Sequence, residues 1–172
     1  MLKVIGSILV IMSTTLVGFY YSRMFSERLK QIRELQYSLN MLESEIIYSA
    51  SPLIQAMEYV AERSRAPINE FFRVFSEKLY KKEIEGILEG FQSTMMEFKG
   101  KLRLEKDEID TLASFVKSLE SSDLEGQKAN FNITMKKLEG FEKRAEESMT
   151  KNEKLYKYLG VCSGLLVVII LV

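Results

Sequence analysis

Two pairs of carboxylates stand close enough in the chain to suggest chemistry: Glu43 with Glu45, and Asp107 with Asp110. Pairs of this kind serve as general acid and base or as ligands of a divalent ion. In a chain that is 28% charged, a solvated helix face is the simpler account of both. The rest of the inventory points the same way. There is no histidine, which removes the commonest general base and metal ligand. The single cysteine, Cys162, lies in an apolar run and has no partner for a disulfide. No phosphate-binding loop, dinucleotide-binding glycine pattern or Cys/His cluster is present. No catalytic, cofactor or metal site is therefore expected, and the protein reads as a non-enzyme. Asn132-Ile133-Thr134 matches a glycosylation sequon, but it falls inside a stretch with helical periodicity and reads as chance.

Binding residues are better candidates. Arg28, Lys30 and Arg33 follow the first apolar run and offer a basic docking surface, or equally a contact with anionic lipid heads or plain solvation. Asp107 and Asp110 give a second candidate face, with solvation again the competing account. With 24 basic and 24 acidic residues, the chain lacks the basic excess of a nucleic-acid binder. Gly160 and Gly164 form a G-x-x-x-G pair that would let another helix approach closely in a membrane, unless the spacing is accidental.

The elements that must carry these residues are helices. Only Pro52 and Pro67 interrupt the chain, and no sustained alternation of period two occurs. Apolar residues recur at three and four residues from Phe25 to Ile46, predicting that the first helix continues to about Ser49. A short helix capped by Ser51 runs to about Arg63. The next restarts at Pro67 with Ile68, Phe71, Phe72, Phe75 and Leu79 facing a core, a use that fits three close phenylalanines better than a ligand site. A weaker helix contains Gly86 and Gly90, each costing about 1 kcal/mol relative to alanine. Another begins near Lys106, and Ser122 with Glu125 fits a capping box that opens a last helix of about 50 residues.

Both ends are apolar. Val4–Tyr21 carries no charge over about 18 residues, and Tyr158–Val172 none over about 15, or about 22 Å of helix. The first run is too long for the core of a signal peptide and lacks a small-residue cleavage site, so an uncleaved anchor is expected. Basic residues lie inward of both runs, at Arg23, Arg28, Lys30 and Arg33 and at Lys151, Lys154 and Lys157. The positive-inside rule then predicts a hairpin with a cytoplasmic centre and both termini outside. The expected organisation is a transmembrane helix over 1–21, an all-α bundle of about six helices over 22–157, and a second transmembrane helix over 158–172. The long first and last helices would pair as in a coiled coil.

Three blocks sharpen this picture: E-R-x-x-Q-I-R-x-L at Glu27–Leu35, L-E-x-E-I-x-Y at Leu42–Tyr48 followed by Pro52-Leu53, and S-D-L-E-G-Q at Ser122–Gln127. Together with the apolar ending, they resemble the stage III sporulation protein AB family, over essentially the whole chain. The resemblance implies kinship with the helical domain of type II secretion and type IV pilus platform proteins. It implies a place in a secretion-like channel complex of endospore formation, in the mother-cell membrane around the forespore. The partners implied are a secretion-type ATPase and other channel components. Platform proteins usually have tandem helical domains and more spans, so one domain with two spans is a departure. Two further readings stay open: a membrane scaffold that homo-oligomerises without an ATPase, and, against the missing constellation, an enzyme.

Overall fold

The computed structural model describes residues 2–81, 86–121 and 123–171, and at the two ends the side chains of only some of them. The described residues form α1 (Leu2–Glu43), α2 (Leu53–Arg63), α3 (Ile68–Tyr80), α4 (Ile87–Glu97), α5 (Lys106–Ser121) and α6 (Leu124–Leu171), with no strand among them. The all-α expectation holds. The chain divides into two compact units, one of residues 1–29 and 143–172 and one of residues 30–142. These boundaries follow contacts rather than hydropathy, and fall inward of residues 22 and 157.

In the second unit, α2 packs on α3, α3 on α4 and α4 on α5. Their buried faces follow the helical repeat: Ile32, Leu35, Leu39 and Leu42 on α1, Leu112, Phe115 and Val116 on α5, and Phe131 and Leu138 on α6. Phe71 stands at the centre of an aromatic group, with the rings of Phe72, Phe75, Phe91 and Phe98 at centroid distances of 5.7–6.0 Å. Three of these four contacts are edge to face, the arrangement that ring quadrupoles favour. Two hydrogen-bonded serines are buried between α1 and the end of α2, Ser38 Oγ and Ser64 Oγ lying 2.7 Å apart.

Helix ends depart from the sequence expectation in instructive ways. The helical path of α1 closes in a π-helical turn at Ser44–Tyr48, and the chain then reverses with Ala50 at φ 50°. Ser51 does not cap α2: its hydroxyl donates to Glu45 Oε2 at 2.8 Å, tying the reversal back to α1, and Pro52 takes the cap position. Glu45 thus serves as an acceptor that fixes the chain reversal. The Ala66–Pro67 peptide ahead of α3 is cis. Gly86 lies outside α4, with extended backbone at its N-cap, so of the two glycines only Gly90 weakens the helix. The carboxylate of Glu120 on α5 caps α4, accepting Ile87 N–H at 2.6 Å and Leu88 N–H at 3.3 Å. Replacing Glu120 with alanine should lower stability by about 1 kcal/mol and speed amide exchange at Ile87. Unchanged exchange there would show that the cap is immaterial.

Glu108, fully buried, accepts the N–H of Glu105 at 2.6 Å and so forms one half of a capping box at the start of α5. Gly100, at φ 96°, makes the turn between α4 and α5, where a side chain would be strained. At the start of α6, Asp123 Oδ1 accepts Gly126 N–H at 2.9 Å, so the cap observed is Asp123; Ser122 lies outside the described residues.

The unit formed by the two ends is helical in backbone over residues 4–21 and 158–171. The expected transmembrane helices over 1–21 and 158–172 fall largely on side chains outside the described residues. Among the described residues no helix is long and apolar enough to cross a membrane. The described side chains of the first run are Gly6, Met12–Thr14 and Leu16–Tyr20. Within that stretch the large side chains point outward, with Leu16 67%, Val17 56% and Phe19 52% exposed.

Candidate interaction surface

The basic residues singled out in α1 have different fates. Arg28 is half-buried, whereas Lys30 and Arg33 are exposed. Helix periodicity places Lys30, Arg33 and Glu34 beside one another on the outer side of α1, with Ile32 and Leu35 turned into the core. Arg33 is already engaged: its Nε donates to Glu142 Oε1 on α6 at 2.6 Å, and Gln36 Nε2 donates to Glu142 Oε2 at 3.0 Å. Farther along, the ammonium of Lys128 lies 5.9 Å from the ring centre of Tyr48. Residues 33–48 and 128–142 therefore run antiparallel.

The hydrogen bond from Arg33 holds the carboxyl of Glu142 below its ordinary value of 4.5, partial burial opposing and Gln36 assisting. A depressed carboxylate contributes stability that is fully present above its unfolded value and is lost as pH falls through the folded one. The pair should therefore stabilise the fold at neutral pH and lose its effect below about 4.5. With half the Arg33 side chain in water, the contribution is on the order of 0.5–1 kcal/mol at most. Glu142→Gln should lose that much at pH 7 and flatten the acid limb of stability against pH. An unchanged acid limb would show that other carboxylates set it.

Two loops are pinned to the same stretch of α1. Glu34 Oε1 accepts the N–H of Arg65, in the turn between α2 and α3, at 2.7 Å. The buried amide of Gln31 bridges the α4–α5 loop: its Nε2 donates to Lys101 C=O at 3.2 Å and its Oε1 accepts Arg103 N–H at 2.6 Å. Between these anchors lies a cleft of about 310 Å³, lined by Lys30, Gln31, Arg33, Glu34, Arg65 and Ala66. The sequence reading missed Arg65, since no local pattern links residues 30 and 65 and the contact arises only through the Glu34 bond.

Asp107 and Asp110 are exposed on the first turns of α5 and do not line the cleft. Among the described residues no group of three or more His, Cys, Asp or Glu could hold a metal ion. Thr134 of the sequon is buried against the core. Gly160 and Gly164 lie in the helical backbone of α6, but what surrounds them is outside the described residues.

This architecture has relatives. The family model described as stage III sporulation protein AB matches residues 3–172. The chain belongs to the stage III sporulation protein AB family. A protein of that name from Bacillus subtilis (strain 168) is 32% identical over 171 residues, 99% of each chain. A solved structure titled stage III sporulation protein AB superposes with a TM-score of 0.66 at 29% identity, over 72% of this chain and 97% of that one. Membership in the stage III sporulation protein AB family thus extends over both compact units. The relatives are named for a stage of sporulation and not for a reaction.

Proposed function

We propose that this protein is a non-enzymatic, membrane-anchored adapter of a secretion-like complex in endospore formation, docking a secretion-type ATPase at the mother-cell membrane around the forespore. The observation that carries the reading is the contrast between the two units. One is a polar helical domain with a cationic cleft, and the other turns large apolar side chains outward. Met12, Leu16, Val17, Phe19 and Tyr20 on α1, with Leu155, Tyr158 and Leu159 on α6, are each at least 46% exposed. So many outward apolar groups in one unit ask for a nonaqueous surrounding. Helical backbone over residues 4–21 and 158–171 satisfies its own hydrogen bonds, as a bilayer requires. The basic residues inward of each run favour a hairpin with a cytoplasmic centre. Family membership over the whole length supports the sporulation setting.

The test is two-part. The full-length protein should partition with membranes through alkaline carbonate washing and report a noncytoplasmic C-terminus in a reporter fusion. It should also retain the secretion-type ATPase of the same cell on co-purification in mild detergent. Membrane retention and self-association with no ATPase recovered would favour the oligomerising scaffold instead. Release by carbonate would refute the anchor.

A further inference from the structure

We propose that the cleft between α1 and the α2–α3 turn is a carboxylate-recognition site that takes an acidic segment of a partner protein, with Lys30 and Arg65 as its binding cations. The cleft is built rather than incidental. Its walls are fixed by the Glu34 bond to Arg65 N–H, by the buried Ser38–Ser64 pair just behind the turn, and by Gln31 on the far side. Its volume, about 310 Å³, lies at the lower end of ligand-site volumes. Every lining side chain except Ala66 carries a charged or polar head, so a charged occupant has the most to gain there.

The charge count decides the sign of the occupant. Lys30, Arg33 and Arg65 line the cleft against one carboxylate, Glu34, whose Oε1 is already used by a main-chain N–H. Arg33 is tied to Glu142, whereas the Lys30 ammonium and the Arg65 guanidinium have no acidic partner among the described residues. A guanidinium presents a planar fork of donors that fits a carboxylate in two parallel hydrogen bonds, and a lysine adds a flexible point charge. A membrane surface fits less well. Bilayers engage clusters of four to eight cations, whereas this cleft offers two available cations, both exposed, beside a fixed negative charge.

The inference rests on the adapter reading only for the partner's identity; the cleft's preference for carboxylates can be measured alone. Full-length protein in detergent is titrated against a fluorescein-labelled octaglutamate peptide, with competition by phosphatidylglycerol vesicles and, separately, by neutral phosphatidylcholine vesicles. Wild type should bind the peptide with an affinity that falls as salt rises. Lys30→Ala with Arg65→Ala should weaken binding about tenfold or more, and the charge reversals Lys30→Glu with Arg65→Glu should abolish it. Arg65→Ala keeps the main-chain N–H that Glu34 accepts, so the walls remain, and a helical circular dichroism spectrum equal to wild type confirms it. Asp107→Lys with Asp110→Lys should not weaken binding. Equal peptide binding by wild type and the double alanine variant would overturn the proposal. So would phosphatidylglycerol vesicles that displace the peptide through Lys30 and Arg65, since the site would then be a lipid site. If wild type binds the peptide but no secretion-type ATPase, the adapter reading fails and the cleft assignment stands. If it binds the ATPase and the cleft variants bind it equally, the cleft assignment fails and the adapter reading stands.

Discussion

Phe71→Ala is expected to destabilise the helical unit by about 3–5 kcal/mol, the largest effect of any single substitution proposed here. Phe71 is only 5% exposed and touches rings from its own helix and from α4 and beyond: Phe72, Phe75, Phe91 and Phe98. Truncation loses the transfer energy of the ring and leaves a cavity that four rigid aromatic neighbours cannot readily close. Against a total stability of about 5–15 kcal/mol for a domain, this is a large fraction. Urea unfolding of the full-length protein in detergent, followed by circular dichroism, would read it as a lower midpoint at unchanged slope. Met96→Ala on α4, a side chain 77% exposed, is the control and should change stability by less than about 0.5 kcal/mol. A loss under 1 kcal/mol for Phe71→Ala would mean that the aromatic group is not the centre of the core.

Gln31→Leu is expected to cost about 2–3 kcal/mol, by a different mechanism. The substitution keeps the volume but removes both groups that satisfy the α4–α5 loop, stranding Lys101 C=O and Arg103 N–H in a partly buried place. Each stranded group costs about 1–3 kcal/mol, the lower figure applying where water can reach it. Hydrogen exchange distinguishes this from a general loss of packing. The amide of Arg103 should exchange faster by a larger factor than amides in the middle of α3. Equal acceleration everywhere would show that Gln31 acts only through global stability. Because Gln31 also lines the cationic cleft, the same variant should loosen one of the walls on which Lys30 is displayed.

These two residues also mark how far the chain could be read in advance. Phe71 was legible: three phenylalanines on one helical stripe have little use except a core, and the periodicity gave the face without any knowledge of its neighbours. The order and approximate ends of the helices were legible for the same reason. What failed at the ends was local competition for hydrogen bonds. Ser51 looked like the cap of α2, but Glu45 offers its hydroxyl an acceptor. Gly86 looked like a weak point inside α4, but it stands ahead of the first turn, where the Glu120 carboxylate arrives from α5. Neither Glu45 nor Glu120 could be matched to its donor from spacing alone.

The candidate site divides in the same manner. Lys30 and Arg33 were found by their place after the first apolar run, whereas Arg65, Gln31 and Glu34 acquire roles only from contacts over tens of residues. The sequence by itself determined the helical class, the facing of each helix, the absence of the familiar catalytic motifs and the family. Each of these depends on residue type and short-range periodicity, which the chain carries in linear form. Only the tertiary structure decided which charges are spent and which are available. Glu142 neutralises Arg33, Glu34 serves a main-chain N–H, and Lys30 and Arg65 come to share one cleft. Ion pairs and cleft walls are set by three-dimensional distance, and two helix turns or thirty residues of separation look alike until the chain is folded.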